Sequence, residues 1–164
     1  MRASFYPELG NSERPPHTEI SICDIDKMVE ERLQRQQVLA REYDSPTLVA
    51  VISEAVLLYN VGGAEVMRAQ LAHLIEMARR SDVFIHVIPM TSEVCAGFLA
   101  NFIIATLDGR EVAYLDNQLN GEVIEEPENL ALLRRMFERF RAHSLSRPDS
   151  IELIRRIMEE RWTR

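Results

Sequence analysis

Residues 48–52 read LVAVI, residues 67–78 read MRAQLAHLIEMA and residues 83–88 read VFIHVI. The first and third runs are short, apolar and bounded by turn-forming residues, which is typical of strands buried on both faces. The middle run repeats at helical spacing, and its predicted apolar face consists of Met67, Leu71, Leu74, Ile75 and Ala78. Strand, helix and strand in this order predict a right-handed βαβ unit with two parallel strands.

Two further strands are predicted downstream, over 101–107 and 110–116. The Asp108-Gly109 pair between them is a strong signal for a two-residue hairpin. Pro127 then marks the start of a helix whose apolar stripe is Leu130, Leu133, Phe137 and Phe140. A last helix follows Ser146, with an apolar stripe at Ile151, Ile154, Met158 and Trp162.

One more helix is predicted before the βαβ unit. It starts after Asp24 or Asp26 and ends near Tyr43, and its thin inward-facing stripe is Val29, Leu33, Gln36 and Ala40. Residues 1–25 are predicted to form an irregular arm and residues 26–164 a single globular domain. The predicted fold class is α/β, with α+β as the alternative: a small mixed sheet of about four strands, flanked by about four helices.

The charge of the chain narrows the choice of partners. The 164 residues include 26 acidic and 19 basic ones, a net charge of -7, which disfavours direct nucleic-acid binding. Lys27 is the only lysine, so Schiff-base catalysis and lysine-anchored cofactors are also disfavoured. We find neither an apolar run of about 18 residues nor the apolar core of a signal peptide, so we expect a cytoplasmic protein that does not enter the membrane.

Several segments in order resemble one family. They are RLQRQ (32–36), VISEAVLL (51–58), VGGAEVMRAQLAHLIEMA (61–78), VFIHVIP (83–89) and SLSRPDSIELI (144–154). Together they resemble the carboxy-terminal domain of unknown function found in actinobacterial helix-turn-helix regulators of the XRE type. The resemblance implies a domain that senses a small molecule or a small partner protein, and it transfers no catalytic residue.

The chain departs from this family pattern in two places. Residues 1–30 are too few for a helix-turn-helix, which lies outside this sequence or has been lost from a natural stand-alone protein. The loop after Pro89 in the family carries a histidine and several glycines, whereas here Cys95 and Ala100 stand at two of those positions. Ligand chemistry shared with the family at this loop is therefore in question.

Few residues stand out as candidates for chemistry. The catalytic candidates are Glu54, His86 and Cys95, and the ligand-binding candidates are Glu54, His86, Tyr114 and Asp116. Each also has a structural interpretation: a paired carboxylate for Glu54, a hydrogen-bonded strand residue for His86, a small apolar side chain for Cys95 and a packing residue for Tyr114. No nucleophile elbow, phosphate loop or metal-spaced cluster is present in the sequence, so neither a cofactor nor a metal is expected.

The sequence leaves two candidate functions. The first is a stand-alone regulatory domain that binds a small molecule or a small partner protein, does not bind DNA by itself and can form a homodimer. The stripe on the first helix and the last helix with Trp162 are candidate contact surfaces, because unpartnered apolar faces usually bind something. The alternative is a cofactor-free enzyme recruited into specialised metabolism, such as a cyclase or pericyclase, which requires an apolar pocket with one or two polar groups.

Overall fold

The computed structural model describes residues 26–27, 29–30, 33–34, 37–40, 45–93, 101–116 and 121–163. The chain divides into two compact units, Met1–Pro46 and Thr47–Arg164. In the first unit, the described residues between 26 and 34 are helical, as predicted, and Gln37–Ala40 forms a 3-10 helix. The predicted arm and the helix end near Tyr43 lie outside the described residues.

The second unit begins with the predicted βαβ unit. Strand β1 (Leu48–Ser53) pairs in parallel with β2 (Val83–Ile88), from Leu48 opposite Val83 to Ser53 opposite Ile88. Between them lie the predicted helix, α2 (Gly63–Ala78), and a short helix that the sequence did not indicate, α1 (Glu54–Leu58). The Ser53 hydroxyl caps α1 by accepting a hydrogen bond from the Ala55 N–H at 3.2 Å.

The predicted apolar face of α2 is confirmed. Met67, Leu71, Ile75 and Ala78 are buried, and Leu74 is half-buried. They form the main core with one face of β2, made of Val83, Ile85 and Val87.

A second sheet follows the βαβ unit. Strands β3 (Asn101–Leu107), β4 (Arg110–Asp116) and β5 (Glu122–Ile124) form an antiparallel sheet in the order β3-β4-β5. The predicted hairpin joins β3 to β4, and φ is 51° at Asp108 and 76° at Gly109. Two consecutive positive φ angles are those of a type I′ turn, whose twist matches that of the flanking strands.

The α/β class is confirmed, while the strands are divided differently from the prediction. In place of one mixed sheet, the described residues form a parallel pair and a separate three-stranded sheet. Strand β5 accounts for part of the difference, because it occupies the edge of β4 that a larger sheet would use. Since β5 has only three residues, its sequence carries no clear alternation, and the prediction missed it.

Helix α3 (Pro127–Ala142) packs against both sheets. Leu130 and Leu133 are buried against Ala113 and Ile124 of the three-stranded sheet. Near the other end of α3, Phe140 is buried against Ile88 of β2. The helix therefore joins the two sheets into one unit.

Helix α4 (Arg147–Arg161) completes the main core, with its buried side rotated from the predicted stripe. Ser150, Leu153, Ile154 and Ile157 are buried on this helix, whereas Ile151 and Met158 are only half-buried. Trp162, just beyond the helix, is 5% exposed, and its indole N–H donates to the Leu57 carbonyl at 3.0 Å. The prediction that this helix and Trp162 form a contact surface is therefore wrong, because their apolar side chains fill the core.

Candidate functional site

Glu54 lies at the first position of α1, directly after β1. Its Oε2 accepts a hydrogen bond from the Met90 N–H at 2.8 Å, which ties the start of α1 to the turn after β2. The carboxylate therefore has a structural partner. This agrees with the structural interpretation of Glu54, because the carboxylate accepts from a backbone amide of the turn after β2.

A depression of about 410 Å³ lies beside Glu54, between α1 and α4. It is open to solvent and has a mixed lining of charged and apolar side chains: Glu54, Leu58, Arg156, Ile157, Glu160 and Arg161. Catalysis without a cofactor requires a shaped pocket that shields the reacting groups from water. Among the predicted site residues that the structure describes, only Glu54 lines this depression, and the opening leaves its carboxylate in contact with water.

His86 is half-buried on β2, on the strand face opposite the main core. Its Nδ1 lies 3.0 Å from the Leu145 carbonyl oxygen. Because a carbonyl oxygen can only accept, Nδ1 carries the proton in this hydrogen bond. The imidazole therefore joins β2 to the segment before α4, as expected of a hydrogen-bonded strand residue.

The same segment covers the outer edge of β2 with one backbone hydrogen bond and one hydrogen bond to a side chain. The Leu145 N–H donates to the Val87 carbonyl at 2.9 Å, and the Val87 N–H donates to the Ser150 hydroxyl at 2.9 Å. The Ser150 hydroxyl lies 3.3 Å from the Leu145 carbonyl, to which it donates, and Ser150 is fully buried. The sequence did not indicate a role for Ser150, because its partner lies 63 residues away.

Arg147 is another structural residue that the sequence did not single out. Its guanidinium donates to the carbonyls of Ala78 and Arg80 at the end of α2, with 2.9 Å to Ala78. The guanidinium also lies over the Phe84 ring, 5.1 Å from its centroid. Arg147 thus fastens the start of α4 to both α2 and β2.

The structure does not bring together Glu54, His86 and Tyr114, the predicted site residues whose side chains it describes. Val51 is opposite His86 in the parallel pair, and β1 continues for two residues beyond it, roughly 7 Å, before Glu54 begins α1. Glu54 and His86 also bond to different backbone segments. Tyr114 is on β4, in the other sheet.

Tyr114 packs against its own sheet. It is half-buried, and its ring and hydroxyl lie over Gly121, where a side-chain Cβ would overlap them. Of the two interpretations of Tyr114, the geometry agrees with packing. A side chain at position 121 would therefore require Tyr114 to move.

The remaining candidates are not described. Cys95 lies outside the described residues, and so does the side chain of Asp116 at the end of β4. Within the described part of the chain, no group of three or more histidine, cysteine, aspartate or glutamate side chains could hold a metal ion. None of the described helices is long and apolar enough to cross a membrane.

A second depression, of about 560 Å³, lies between the start of β4 and the start of α3. On one side Arg134 binds Glu111 through two hydrogen bonds of 2.7 and 2.6 Å. The hydrogen bond with Glu111 raises the pKa of Arg134, so the cation and this link persist to higher pH than for a free arginine. The depression is also open to solvent, and its principal charged pair is already matched.

An exposed apolar surface lies on the three-stranded sheet of the second unit. Phe102, Ile104, Ala113 and Ile124 face α3 in the core, so the alternating residues face away from it. We call these residues the outer sheet face: Ile103, Ala105, Leu107, Tyr114 and Val123. Ile103, Tyr114 and Val123 are direct neighbours across the three strands. Ile103, Leu107 and Val123 are 62%, 59% and 45% exposed.

Comparison with known proteins gives a family and no function. A family model described as a domain of unknown function (DUF5753) matches residues 11–156. No curated protein and no solved structure is significantly similar to the chain. Because the matched residues cover most of the sequence, the chain belongs to this family of domains of unknown function.

Proposed function

We propose that this chain is a cytoplasmic regulatory binding module, which docks a partner protein and does not bind DNA by itself. The outer sheet face is the observation that carries the proposal. It places three exposed apolar side chains on one sheet, opposite a face that α3 already covers. Apolar patches of this kind typically mark sites of protein association.

The shape of the surface favours a protein over a small molecule. Small ligands usually bind in concave pockets that bury most of their surface. The outer sheet face is one side of a three-stranded sheet, and the two depressions described above are open to solvent. A partner that offers its own apolar patch would fit this face better than a small molecule would.

The net charge of the chain supports the proposal that it does not bind DNA by itself. A net charge of -7 opposes association with the phosphate backbone, which supplies most of the affinity in DNA binding. The segments that resemble XRE-type regulators of actinobacteria suggest that a helix-turn-helix performs the DNA binding in such systems. We place this chain in the same kind of system, as the module that receives the signal.

The enzyme alternative has less support. A cyclase or pericyclase would need Glu54, His86 or Tyr114 to converge on one apolar cavity. Glu54 and His86 are instead bonded to separate backbone segments, and Tyr114 packs over Gly121 in the other sheet.

The proposal can be tested with one matched pair of variants. Val123→Glu puts a charge on the outer sheet face, whereas Leu132→Glu puts the same charge on an exposed position of α3, where the leucine is 49% exposed. Proteins that bind the wild-type chain are captured from cells that carry its gene, identified, purified and titrated against each variant by calorimetry. We expect Val123→Glu to weaken the reconstituted complex at least tenfold and Leu132→Glu to change it less than twofold.

Two outcomes would contradict the proposal. One is a reconstituted complex that Val123→Glu leaves unchanged, since the outer sheet face would then not be the docking surface. The other is tight binding of the wild-type chain to a random-sequence DNA duplex at about 150 mM salt, measured by fluorescence anisotropy.

A further inference from the structure

Strand β3 is an exposed edge of the three-stranded sheet. It pairs with β4 along all seven residues, and within the described part of the chain no strand pairs with its other edge. The unpaired N–H and C=O groups of such an edge are a template for another strand. Strand β5, at the opposite edge, is much less suitable, because it has three residues and the chain turns into α3 at Pro127.

The sequence of β3 lacks the usual features that prevent edge pairing. Residues 101–107 read NFIIATL and include no charged residue and no proline. Natural edge strands are commonly protected by lysine, proline, a bulge or a short length. The register of β3 with β4 is continuous from Asn101 to Leu107, so no bulge interrupts it.

The two strands of the parallel pair are less available for pairing with another chain. The outer edge of β2 is closed by Leu145 and Ser150. Strand β1 is half-buried beyond Leu48, and its Val51 packs against the buried pair Ile88 and Phe140. Ile103 of β3, in contrast, is 62% exposed.

We propose that two copies of the chain associate by antiparallel pairing of their β3 strands, about a two-fold axis at Ile104. Such an axis places Ile104 opposite its own copy, Ile103 opposite Ala105 and Phe102 opposite Thr106. Every facing pair is uncharged, so the contact brings together two chains of net charge -7 through a neutral strand. The occupant we name is a second copy, because β3 has no charged residue that would repel its own copy and the pairing satisfies the outer edges of both strands.

The pairing produces a continuous six-stranded sheet from two three-stranded ones. Alternation then places both outer sheet faces on the same side of the larger sheet. Ile103 of each copy lies beside Ala105 of the other, which makes the two apolar surfaces contiguous. This inference does not rest on the proposed function, since the dimer can form whether or not a partner binds.

The test is the oligomeric state of the full chain, measured by size-exclusion chromatography with light scattering over a range of protein concentrations. We expect a species of twice the 18.9 kDa chain mass, which dissociates on dilution. Ile103→Lys and Ile103→Glu place like charges across the axis, so each variant should dissociate at a concentration at least tenfold higher. An equimolar mixture of the two should regain the dimer, because opposite charges then lie across the axis.

Val123→Lys is the control, because it adds the same charge to the outer sheet face at the strand farthest from β3. It should leave the dimer intact. Circular dichroism establishes that each variant is folded, and Ala105→Arg gives a second disruption of the same contact if Ile103→Lys does not fold. A wild-type chain that is monomeric at all concentrations would overturn the proposal. A dimer that the β3 variants and Val123→Lys weaken equally would also overturn it.

Discussion

At the scale of single residues, two polar groups that the sequence suggested for chemistry, His86 and Glu54, have structural partners. His86 donates to the Leu145 carbonyl, and Glu54 accepts from the Met90 N–H. Among the described residues, every buried side-chain nitrogen or oxygen has a hydrogen-bond partner. A catalytic group is often recognised as a buried polar atom without a structural partner, and His86 and Glu54 do not have this property.

Glu54 offers a direct test of its structural role. Glu54→Ala removes the acceptor of the Met90 N–H, so the free energy of unfolding should fall by about 0.5–1.5 kcal/mol. Glu54→Gln keeps a side-chain oxygen at this position and should restore most of that loss. Urea denaturation followed by circular dichroism measures both values. Equal losses in the two variants would mean that the charge, rather than the hydrogen bond, stabilises the turn.

Gly121 and Tyr114 form a second pair that can be tested. Gly121→Ala forces the new methyl group into the Tyr114 ring, which should destabilise the fold by about 1–3 kcal/mol. In a Tyr114→Ala background the same substitution should cost much less, because the space is then empty. Thermal unfolding of the wild-type chain, the two single variants and the double variant completes the double-mutant cycle. Additive losses of stability would disprove the contact between Gly121 and Tyr114.

Residue roles were only partly predictable from the sequence. The alternation of His86 with Ile85 and Val87 correctly suggested a hydrogen-bonded residue on the less buried side of a strand. Its partner could not be foreseen, because Leu145 lies 59 residues away. Ser150 and Arg147 had no signal at all, since a serine or arginine near a helix start is usually a cap or a surface charge.

At the scale of elements, the longest periodic segments were predicted best. The β1-α2-β2 unit, the hairpin of β3 and β4, and helices α3 and α4 all lie where the apolar spacing placed them. The missed elements are α1 and β5, with five and three residues, which is too short for a periodic pattern. The buried side of α4 was also predicted wrongly. Ser150 lies in the core because its hydroxyl accepts a hydrogen bond from the Val87 N–H of β2.

The junction of β2 with α4 leads to a prediction at this scale. Ser150→Ala leaves the buried Val87 N–H without its acceptor, so the free energy of unfolding should fall by about 1–3 kcal/mol. Ser81→Ala, at an exposed turn position, should change it by less than about 0.5 kcal/mol. Amide hydrogen exchange should also accelerate at Val87. Unchanged protection of that amide would show that the hydroxyl does not hold the strand edge.

At the scale of the whole second unit, α3 packs against both sheets, and α4 with Trp162 completes the main core. Phe140 of α3 reaches Ile88 of the parallel pair, while Leu130 reaches the antiparallel sheet. Trp162 bonds to the Leu57 carbonyl, 105 residues earlier in the chain. Such long-range contacts should make residues 47–164 unfold cooperatively.

Trp162 provides the probe for this expectation, because it is the only tryptophan in the chain and is 5% exposed. Its fluorescence should shift to longer wavelength when α4 separates from the core. We expect the midpoint of this shift in urea to coincide with the midpoint measured by far-ultraviolet circular dichroism. Separate midpoints would show that α4 detaches before the sheets unfold.

The closure of β2 by Leu145 and Ser150 also has a consequence for how the protein is made. A ribosome releases β1, α2 and β2 well before it has synthesised the residues that cover the edge of β2. During this interval the nascent chain exposes an apolar parallel pair whose outer strand can recruit a neighbouring chain. Translation that stops before α4 would therefore yield an aggregation-prone product, and a chaperone that binds nascent chains would have its main target in this strand.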